Sequence, residues 1–335
     1  LCYWFGPTNC HRKWTKGSGN DLWGINPDSL VGKMPPFLPD VPEIREDFAD
    51  YLGEVQAFDT ALGILLSELD ELGELDNTLI VVSGDHGIPG FPRAKCNLYD
   101  FGVAVPLAIR WGNKIGSNRE IDDFVNLMDL APTFLEVASH SVPAVMTGRS
   151  LASLLEASQS GQIEPDRDFV VTGRERHVAS ARPGQLPYPQ RAIRTKDFLY
   201  IRNFHPERWP MGVAPGFGLD VGPWPNASQL EKNTFAVFGD FDASPTKAFL
   251  GLARDRPEMS AYVEYAFGRR PAEELYDLRT DPHQLTNVAS LSRYQEARSR
   301  LGDKLLNILE TSGDPRVIEN NHSYDKPPFA GPLNQ

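Results

Sequence analysis

The sequence predicts an α/β fold in which a mixed, largely parallel sheet is sandwiched by helices, followed by a smaller α+β subdomain that carries an antiparallel sheet. A long amphipathic helical pattern over 43–73 precedes the apolar run TLIVVS (78–83) and a second apolar run, VPLAIRW (105–111). Unbroken apolar strands are typical of a sheet that is covered on both faces. After about residue 157, short strands separated by turn residues replace this order. We therefore predict two domains, 1–157 and 158–335.

The first predicted domain contains one helix with clear boundaries. Pro42 marks its start and Gly73 its end, and apolar residues recur between them at helical spacing. Before it, residues 1–5 (LCYWF) predict a short buried strand, and 6–42 form a long irregular segment rich in Gly and Pro. After the two apolar strands, FVNLMDLAPTFLEVA (124–138) predicts one helix or two short ones.

The second predicted domain consists of short strands and a late helix. We expect strands at 168–172, 191–195 and 198–202, of which the last two form a hairpin that turns at Lys196-Asp197. The segment ELYDL (274–278) predicts a further strand, and a charged amphipathic pattern at about 289–311 predicts a helix.

Composition excludes several classes of protein. The 335 residues carry a formal net charge of −12, which argues against nucleic acid as a partner but not against a small anionic substrate. Three cysteines make no disulfide framework. No apolar run approaches the roughly 20 residues that a membrane span needs. No signal peptide is visible, and the chain begins at Leu1 inside a predicted strand.

Polar side chains follow the first apolar strand directly. Asp85 and His86 come one residue after Gly84, and Lys95 follows about ten residues later. Ligands of α/β proteins bind beyond the carboxyl ends of strands, and an Asp-His pair there can bind a divalent cation. The alternative is that Asp85 and His86 form a turn, with a capping Asp and a half-buried His, and that Lys95 is a solvated surface lysine.

Five segments resemble, in order, those of the sulfatase family within the alkaline-phosphatase superfamily. They are FGPTNCHRKW (5–14), SGDHG with the loop that follows it (83–111), VNLMDLAPTFLEVA (125–138), RAIRTKDFLYIRNF (191–204) and EELYDLRTDPHQLTNVA (273–289). The stretch GIPGFPRAKCNLYD (87–100) resembles the heparan N-sulfatase branch most. The resemblance implies an alkaline-phosphatase-like sheet and a calcium-dependent sulfuric ester hydrolase that takes part in glycosaminoglycan degradation.

The resemblance also implies roles for individual residues. Asp85 and His86 would be ligands of one Ca²⁺, although Asn is common in the family at the second position. Lys95 would neutralise charge on the sulfate. His11 would contact the sulfate or act as general acid, although Cys10 and Lys13 replace the prolines that flank it in the family. Arg93 would support the loop or bind substrate, or else be a surface cation.

A second group of candidates lies after a predicted strand, in GRERHVASARPG (173–184). His177 and Glu175 are substrate-binding candidates that would set specificity, together with Arg176. Alternatively, Glu175 pairs with Arg174 or Arg176 on a solvated loop.

Other acidic residues and histidines are assigned no site. The adjacent carboxylates Asp122 and Asp123 are expected to cap a helix and to carry surface charge. His205, His283 and His322 are expected at the surface.

The motif that defines the family, Cys-x-Pro-Ser-Arg, is absent. None of Cys2, Cys10 and Cys96 begins it, and the nearest serine version, SVPAV from Ser141, lacks the Arg. In the family this Cys becomes formylglycine, the nucleophile. We expect the nucleophile and the first metal aspartates to lie in a missing N-terminal part. This chain alone should then have no sulfatase activity. The competing explanation is that this is a short protein that has lost the nucleophile. Resemblance implies a secreted or periplasmic location.

Three functions stay open at this point. The first is metal-dependent removal of sulfate from a sulfated carbohydrate or similar substrate. The second is phosphomonoester or phosphodiester hydrolysis on the same scaffold. The third is a noncatalytic protein that binds sulfated glycans through Lys95 and His11. The nature of the nucleophile distinguishes the first two, and binding without turnover would identify the third.

Overall fold

A computed structural model describes residues 1–112, 114–319 and 323–326 of the chain. His322 therefore lies outside the described residues. The helices are α1 (Ser18–Trp23), α2 (Pro42–Glu71), α3 (Asp100–Val103), α4 (Leu130–Val137), α5 (Ala152–Glu156), α6 (Ala227–Lys232), α7 (Pro245–Leu252), α8 (Ser260–Phe267), α9 (Gln295–Thr311) and α10 (Pro315–Ile318). The strands are β1 (Ile80–Ser83), β2 (Leu107–Arg110), β3 (Phe169–Arg174), β4 (Gln190–Thr195), β5 (Phe198–Asn203), β6 (Ala214–Pro215), β7 (Gly218–Leu219) and β8 (Glu273–Asp277).

Helix α2 confirms the predicted helix within two residues at each end. Pro42 occupies the first turn, where its missing N–H costs nothing, and Gly73 adopts a left-handed conformation (φ 70°) just after the end. Its fully buried residues all lie between Ile44 and Gly53. There the helix packs beside Phe37, Leu38 and Phe91 in one apolar cluster. The second half of α2, from Glu54 onward, contains no fully buried residue.

Strands β1 and β2 do not confirm the parallel part of the predicted sheet. They pair antiparallel, with Ile80 opposite Arg110 and Ser83 opposite Leu107. All four residues of β1 are only half-buried, whereas the apolar run predicted cover on both faces. On β2, Leu107 and Ile109 pack against an apolar cluster that is centred on α5. Among the described residues, the only parallel pairing of strands is the two-residue contact of β6 with β7.

The second region contains a four-stranded antiparallel sheet in the order β3-β4-β5-β8, as predicted. The hairpin of β4 and β5 turns at Lys196-Asp197, with Arg194 opposite Leu199. Helix α9 packs across the sheet, because Leu301 and Leu305 share a cluster with Ile193, Tyr200 and Leu275.

Two further segments differ from the sequence prediction. Residues 1–5 form no strand, and Leu1 and Trp4 are exposed. Helices α6, α7 and α8 were not predicted, because each has only six to eight residues. They surround an aromatic cluster in which the rings of Phe238 and Phe267 stack at 4.0 Å.

Side chains from the two predicted domains are joined by buried polar contacts. The Tyr99 hydroxyl donates to Glu274 at 2.7 Å, and the Thr246 hydroxyl donates to Asp47 at 2.6 Å. Both pairs join residues on opposite sides of position 157, and the boundary itself stays a prediction. Over the residues that the structure describes, no helix is both long and apolar enough to cross a membrane.

Candidate functional site

The loop after β1 folds back into the protein instead of projecting into solvent. Gly87 donates to the Gly102 carbonyl at 2.8 Å, and a Cβ at Gly87 would lie 1.9 Å from the Phe101 oxygen. Only glycine permits that approach. The Lys95 amide donates to the Ile88 carbonyl at 3.2 Å, which closes the loop. Most residues between Ile88 and Tyr99 are buried as a result.

Lys95 is the central cation of this loop. Its side chain is only 8% exposed, which excludes the solvated lysine considered from the sequence. The Nζ atom lies 3.3 Å from Nε2 of His11 and 3.4 Å from Oδ2 of Asp242. Three distant parts of the chain therefore meet at one ammonium group.

His11 meets Lys95 with a defined ring orientation. Its Nδ1 lies 2.7 Å from the Arg12 carbonyl, which can only accept, so Nδ1 carries the proton. In the neutral ring, Nε2 is then an acceptor for the Lys95 ammonium. His11 can act as a general acid at Nε2 only after this contact rearranges.

Arg12 holds the backbone that presents His11. Its guanidinium pairs with Asp47 through two hydrogen bonds of 2.5 and 2.9 Å and lies 3.6 Å from the centroid of the Trp14 ring. Nε of Arg12 also donates to the Pro89 carbonyl at 3.1 Å. A bidentate pair of this kind is geometrically specific. The segment with His11 is therefore tied both to α2 and to the loop after β1.

Asp85 and His86 form a small polar pair at the start of the loop. The Asp85 side chain is 87% exposed, and its Oδ2 lies 3.4 Å from His86 Nε2. His86 Nδ1 lies 2.8 Å from the Gly87 carbonyl, so Nδ1 is the donor and Nε2 is left with a lone pair. That is the arrangement of a metal-binding histidine. No group of three or more potential metal ligands occurs within the described ranges.

Arg93 lies buried between aromatic rings of the loop and of the second region. It is 4% exposed, which excludes a surface cation. Its guanidinium donates to the Gln284 carbonyl and lies 4.2 Å from the Tyr99 ring centroid and 4.7 Å from that of Tyr265. These contacts favour the predicted alternative in which Arg93 supports the loop.

Glu175 has other partners than the sequence suggested. Its carboxylate pairs with Arg316 at 2.5 Å and with Arg191 at 2.9 Å, two partners that the sequence did not suggest. Because two guanidinium groups already occupy this carboxylate, the contacts indicate a structural role. They connect β3 with α10 and favour ion pairing over substrate binding for Glu175.

His177 lies in a charged cluster that continues the site. Its Nδ1 is 3.6 Å from Oδ1 of Asp240, and its side chain is 29% exposed. The nearby Asp240 carboxylate, and after it the Cys96 side chain, raise the pKa of His177 to about 9. Because Cys96 is next to Lys95 in the chain, His177 adjoins the Lys95 loop.

Sequence reasoning missed Asp240 and Asp242. Both lie in FGDFDAS (238–244), where two acids alternate with aromatic residues. That alternation is a usable signal, since it places charge in an otherwise buried segment. Both residues are in fact buried. Asp123 is also buried, and it binds the amides of Ile163 and Glu164 at 2.6 and 2.7 Å, so the expectation of surface charge was wrong for it.

Comparison with known proteins shows which family this part of the chain resembles. Residues 9–141, which include His11 and Lys95, match the family model described as Sulfatase. These residues belong to the sulfatase family. Similarity to sulfatases extends well beyond them. The chain is 26% identical over 88% of its length to an ulvan-active sulfatase of Formosa agariphila, and 28% identical over 87% to N-sulphoglucosamine sulphohydrolase of Homo sapiens.

The chain spans about half the length of these sulfatases, 43% of the first and 53% of the second. Solved structures support the same fold. BT4656, in complex with its substrate D-glucosamine-2-N,6-O-disulfate, aligns with 84% of this chain at a TM-score of 0.55 and 22% identity. BT33494S-sulf, from a Bacteroides thetaiotaomicron locus for metabolism of multiple glycosaminoglycans, aligns with 92% at a TM-score of 0.58 and 18% identity. The chain therefore has part of the alkaline-phosphatase-like fold of sulfatases.

Proposed function

We propose that the protein to which this chain belongs is a sulfuric ester hydrolase that removes sulfate from a sulfated carbohydrate. The observation that carries the proposal is the 3.3 Å contact between Lys95 and His11, 84 residues apart, inside the segment that matches sulfatases. Relatives that are named for ulvan and for N-sulphoglucosamine support a sulfated carbohydrate as the substrate class. The likeness to N-sulphoglucosamine sulphohydrolase supports the heparan N-sulfatase branch.

Lys95 is the group that binds the sulfo oxygens. Its ammonium is nearly desolvated, and the local electrostatic attraction is stronger there than at an exposed site. Asp242 and His11 hold Nζ in place before substrate arrives, so little reorganisation is needed when charge develops. His11 contacts the same substrate group. Once the sulfo group has displaced its contact with Lys95, Nε2 of His11 takes up a proton from solvent and donates it to the leaving oxygen.

Asp85 and His86 provide two ligands for a divalent cation, which we propose to be Ca²⁺. The free Nε2 of His86 and the exposed Asp85 carboxylate fit that role. Calcium takes six to eight ligands, so the others must come from outside these two residues. When bound, the cation would polarise the sulfo oxygens as a Lewis acid.

The remaining parts of the proposal concern the whole protein. A formylglycine nucleophile would be provided by a segment outside these 335 residues, since the sequence lacks the motif. The division into 1–157 and 158–335 separates a catalytic region from a C-terminal subdomain. Extracellular sulfated glycans as substrates would place the enzyme outside the cytoplasm.

The decisive test compares this chain with a longer product of the same coding sequence. Each is assayed with 4-nitrophenyl sulfate and with 4-nitrophenyl phosphate, with calcium added and then chelated. We expect the longer protein to hydrolyse the sulfate ester only with calcium, and the 335-residue chain to be inactive. In the longer protein, Lys95→Ala should lower kcat/KM by about 100-fold or more. Lys196→Ala, at the exposed hairpin turn, is the matched control.

The outcomes separate the candidate functions. Preference for the phosphate ester would favour the phosphatase alternative, and calcium-dependent binding without turnover would favour a glycan-binding protein. Turnover by the 335-residue chain would contradict the proposal that the nucleophile lies outside it. Unchanged activity of the Lys95→Ala variant would show that Lys95 does not contribute to the catalytic site.

A further inference from the structure

Asp240 is the centre of a buried charge cluster that the proposed chemistry does not use. Its side chain is completely buried, and Oδ2 accepts hydrogen bonds from Arg174 at 2.6 Å and from Arg182 at 2.5 Å. Oδ1 accepts from the Val178 amide at 3.2 Å and lies 3.6 Å from Nδ1 of His177. These cations hold the pKa of Asp240 well below its usual range, although its burial alone would raise it.

The cluster carries an excess of positive charge. One carboxylate, Asp240, faces two guanidinium groups and one imidazole. The other donors of Arg174 and Arg182 reach neutral groups, namely the carbonyls of Cys96, Pro210, Trp209 and Leu186 and the sulfur of Met211. With His177 protonated, three positive charges therefore surround one negative charge. A local surplus of this kind attracts anions even on a protein of net charge −12.

Solvent reaches this surplus at His177. The side chains of Arg174 and Arg182 are 7% and 3% exposed, whereas that of His177 is 29% exposed. Nε2 of the ring is not needed for the contact with Asp240, which uses Nδ1. An anion can therefore approach the cluster through the outer face of the imidazole.

Two connections place His177 beside Lys95. The thiol of Cys96, the residue that follows Lys95, is close enough to His177 to help raise the pKa of its imidazole. Asp240 holds His177, and Asp242, two residues on, lies 3.4 Å from Nζ of Lys95. The same short segment thus positions both cations.

We propose that His177 forms a second anion subsite next to Lys95, and that Asp240 is its positioning residue. The subsite binds an anionic group of the sugar other than the sulfo group that is cleaved, such as a second sulfate or a carboxylate. This inference rests on the proposed function and narrows its substrate class to saccharides with at least two anionic groups. The groups that face His177 and set its charge are Asp240, Arg174, Arg182 and the thiol of Cys96.

The test measures binding of a monosulfated and a disulfated glucosamine by calorimetry to the longest available product of the gene. We expect His177→Gln to weaken the disulfated sugar about 10-fold or more and the monosulfated sugar less than 2-fold. His177→Arg should retain the preference, because it keeps the positive charge. His205→Gln, which changes a histidine paired with Glu207 at the surface, is the control and should change neither affinity.

A pH series adds a readout that a structural role would not give. Wild-type affinity for the disulfated sugar should fall as the pH rises through about 9, because His177 loses its proton there. The affinity of His177→Arg should stay level over the same range. Equal losses for both sugars in His177→Gln, or no loss, would overturn the subsite alone. A wild-type protein that binds neither sugar would overturn the proposed function and the subsite with it.

Discussion

Two sheets reach different degrees of burial in this chain, and the more apolar strand lies in the less buried sheet. In the sheet β3-β4-β5-β8, Ile193, Tyr200 and Leu275 have no exposed surface. In the β1-β2 pair, Ile80, Val81 and Val82 are only half-buried, although IVVS is as apolar as any strand of the larger sheet. The difference lies in what covers them. Helix α9 packs across the larger sheet, whereas no apolar cluster in the described part of the chain includes a β1 residue.

The comparison shows that an apolar strand can be buried, but that it becomes buried only when a helix or another sheet packs against it. A two-stranded sheet is marginal by itself in water. Acidic side chains near the two sheets differ in burial in the same way. At the end of β1, Asp85 is 87% exposed, whereas Asp240, beside the end of β3, is completely buried. The two regions therefore predict unequal responses to matched substitutions.

The largest effect is expected from Asp240→Asn. The substitution leaves Arg174 and Arg182 buried without their counter-charge, which costs about 3–5 kcal/mol of unfolding free energy. Asp85→Asn is the matched control at the exposed end and should stay within about 0.5 kcal/mol. Urea denaturation followed by circular dichroism measures both. Similar urea midpoints for the two variants would show that Asp240 does not stabilise the buried Arg174 and Arg182.

A slightly smaller effect is expected in the core between α9 and the larger sheet. Leu301 has no exposed surface and packs beside Tyr200 and Leu305. Leu301→Ala should lower the free energy of unfolding by about 3 kcal/mol, because the removed side chain leaves a cavity. The measurement is again a urea titration. A loss below about 1 kcal/mol would contradict the close packing of α9 on the sheet.

An intermediate effect should appear in the pH dependence of stability. The pKa of His177 is about 9 in the folded protein and 6.5 in the unfolded chain, so protonation favours the folded state. This contribution is fully present below pH 6.5 and is lost as the pH rises to about 9. It amounts to ~1–3 kcal/mol, given partial exposure of the ring. In His177→Gln the corresponding slope of unfolding free energy against pH should vanish. If the slope of the His177→Gln variant equals that of the wild-type protein, a group other than His177 causes this pH dependence.

The sequence predicted most of the elements but not the partners of the charged residues. Helix α2, the hairpin of β4 and β5, and the contact of Lys95 with His11 were all predictable, the first two from local patterns and the third from resemblance to a family. The spacing of apolar residues in a sequence does not predict which of two carboxylates an arginine side chain pairs with. Glu175 was expected to bind substrate or to pair with Arg174 or Arg176, whereas it pairs with Arg316, 141 residues away.

The direction of β1 and β2 was missed for a related reason. An apolar run indicates a covered strand but carries no information on the direction of its neighbour. Arg93 and Asp123 illustrate the same limit for polar residues. A surface cation was one of the alternatives for Arg93, and surface charge was expected for Asp123, whereas both residues are buried. The geometry of Asp240 and Asp242 likewise depends on long-range folding of 238–244 over the Lys95 loop.

The smallest effect is expected in the second half of α2. Leu66 is a leucine in a long helix, like Leu301, but it is only half-buried. Leu66→Ala should cost less than about 1 kcal/mol in this chain, because little cavity forms and alanine is the better helix former. The same substitution in a longer product of the gene distinguishes two situations. A cost that stays small means that this face of α2 remains at the surface of the whole enzyme. A cost that rises toward the Leu301→Ala value means that additional polypeptide covers it.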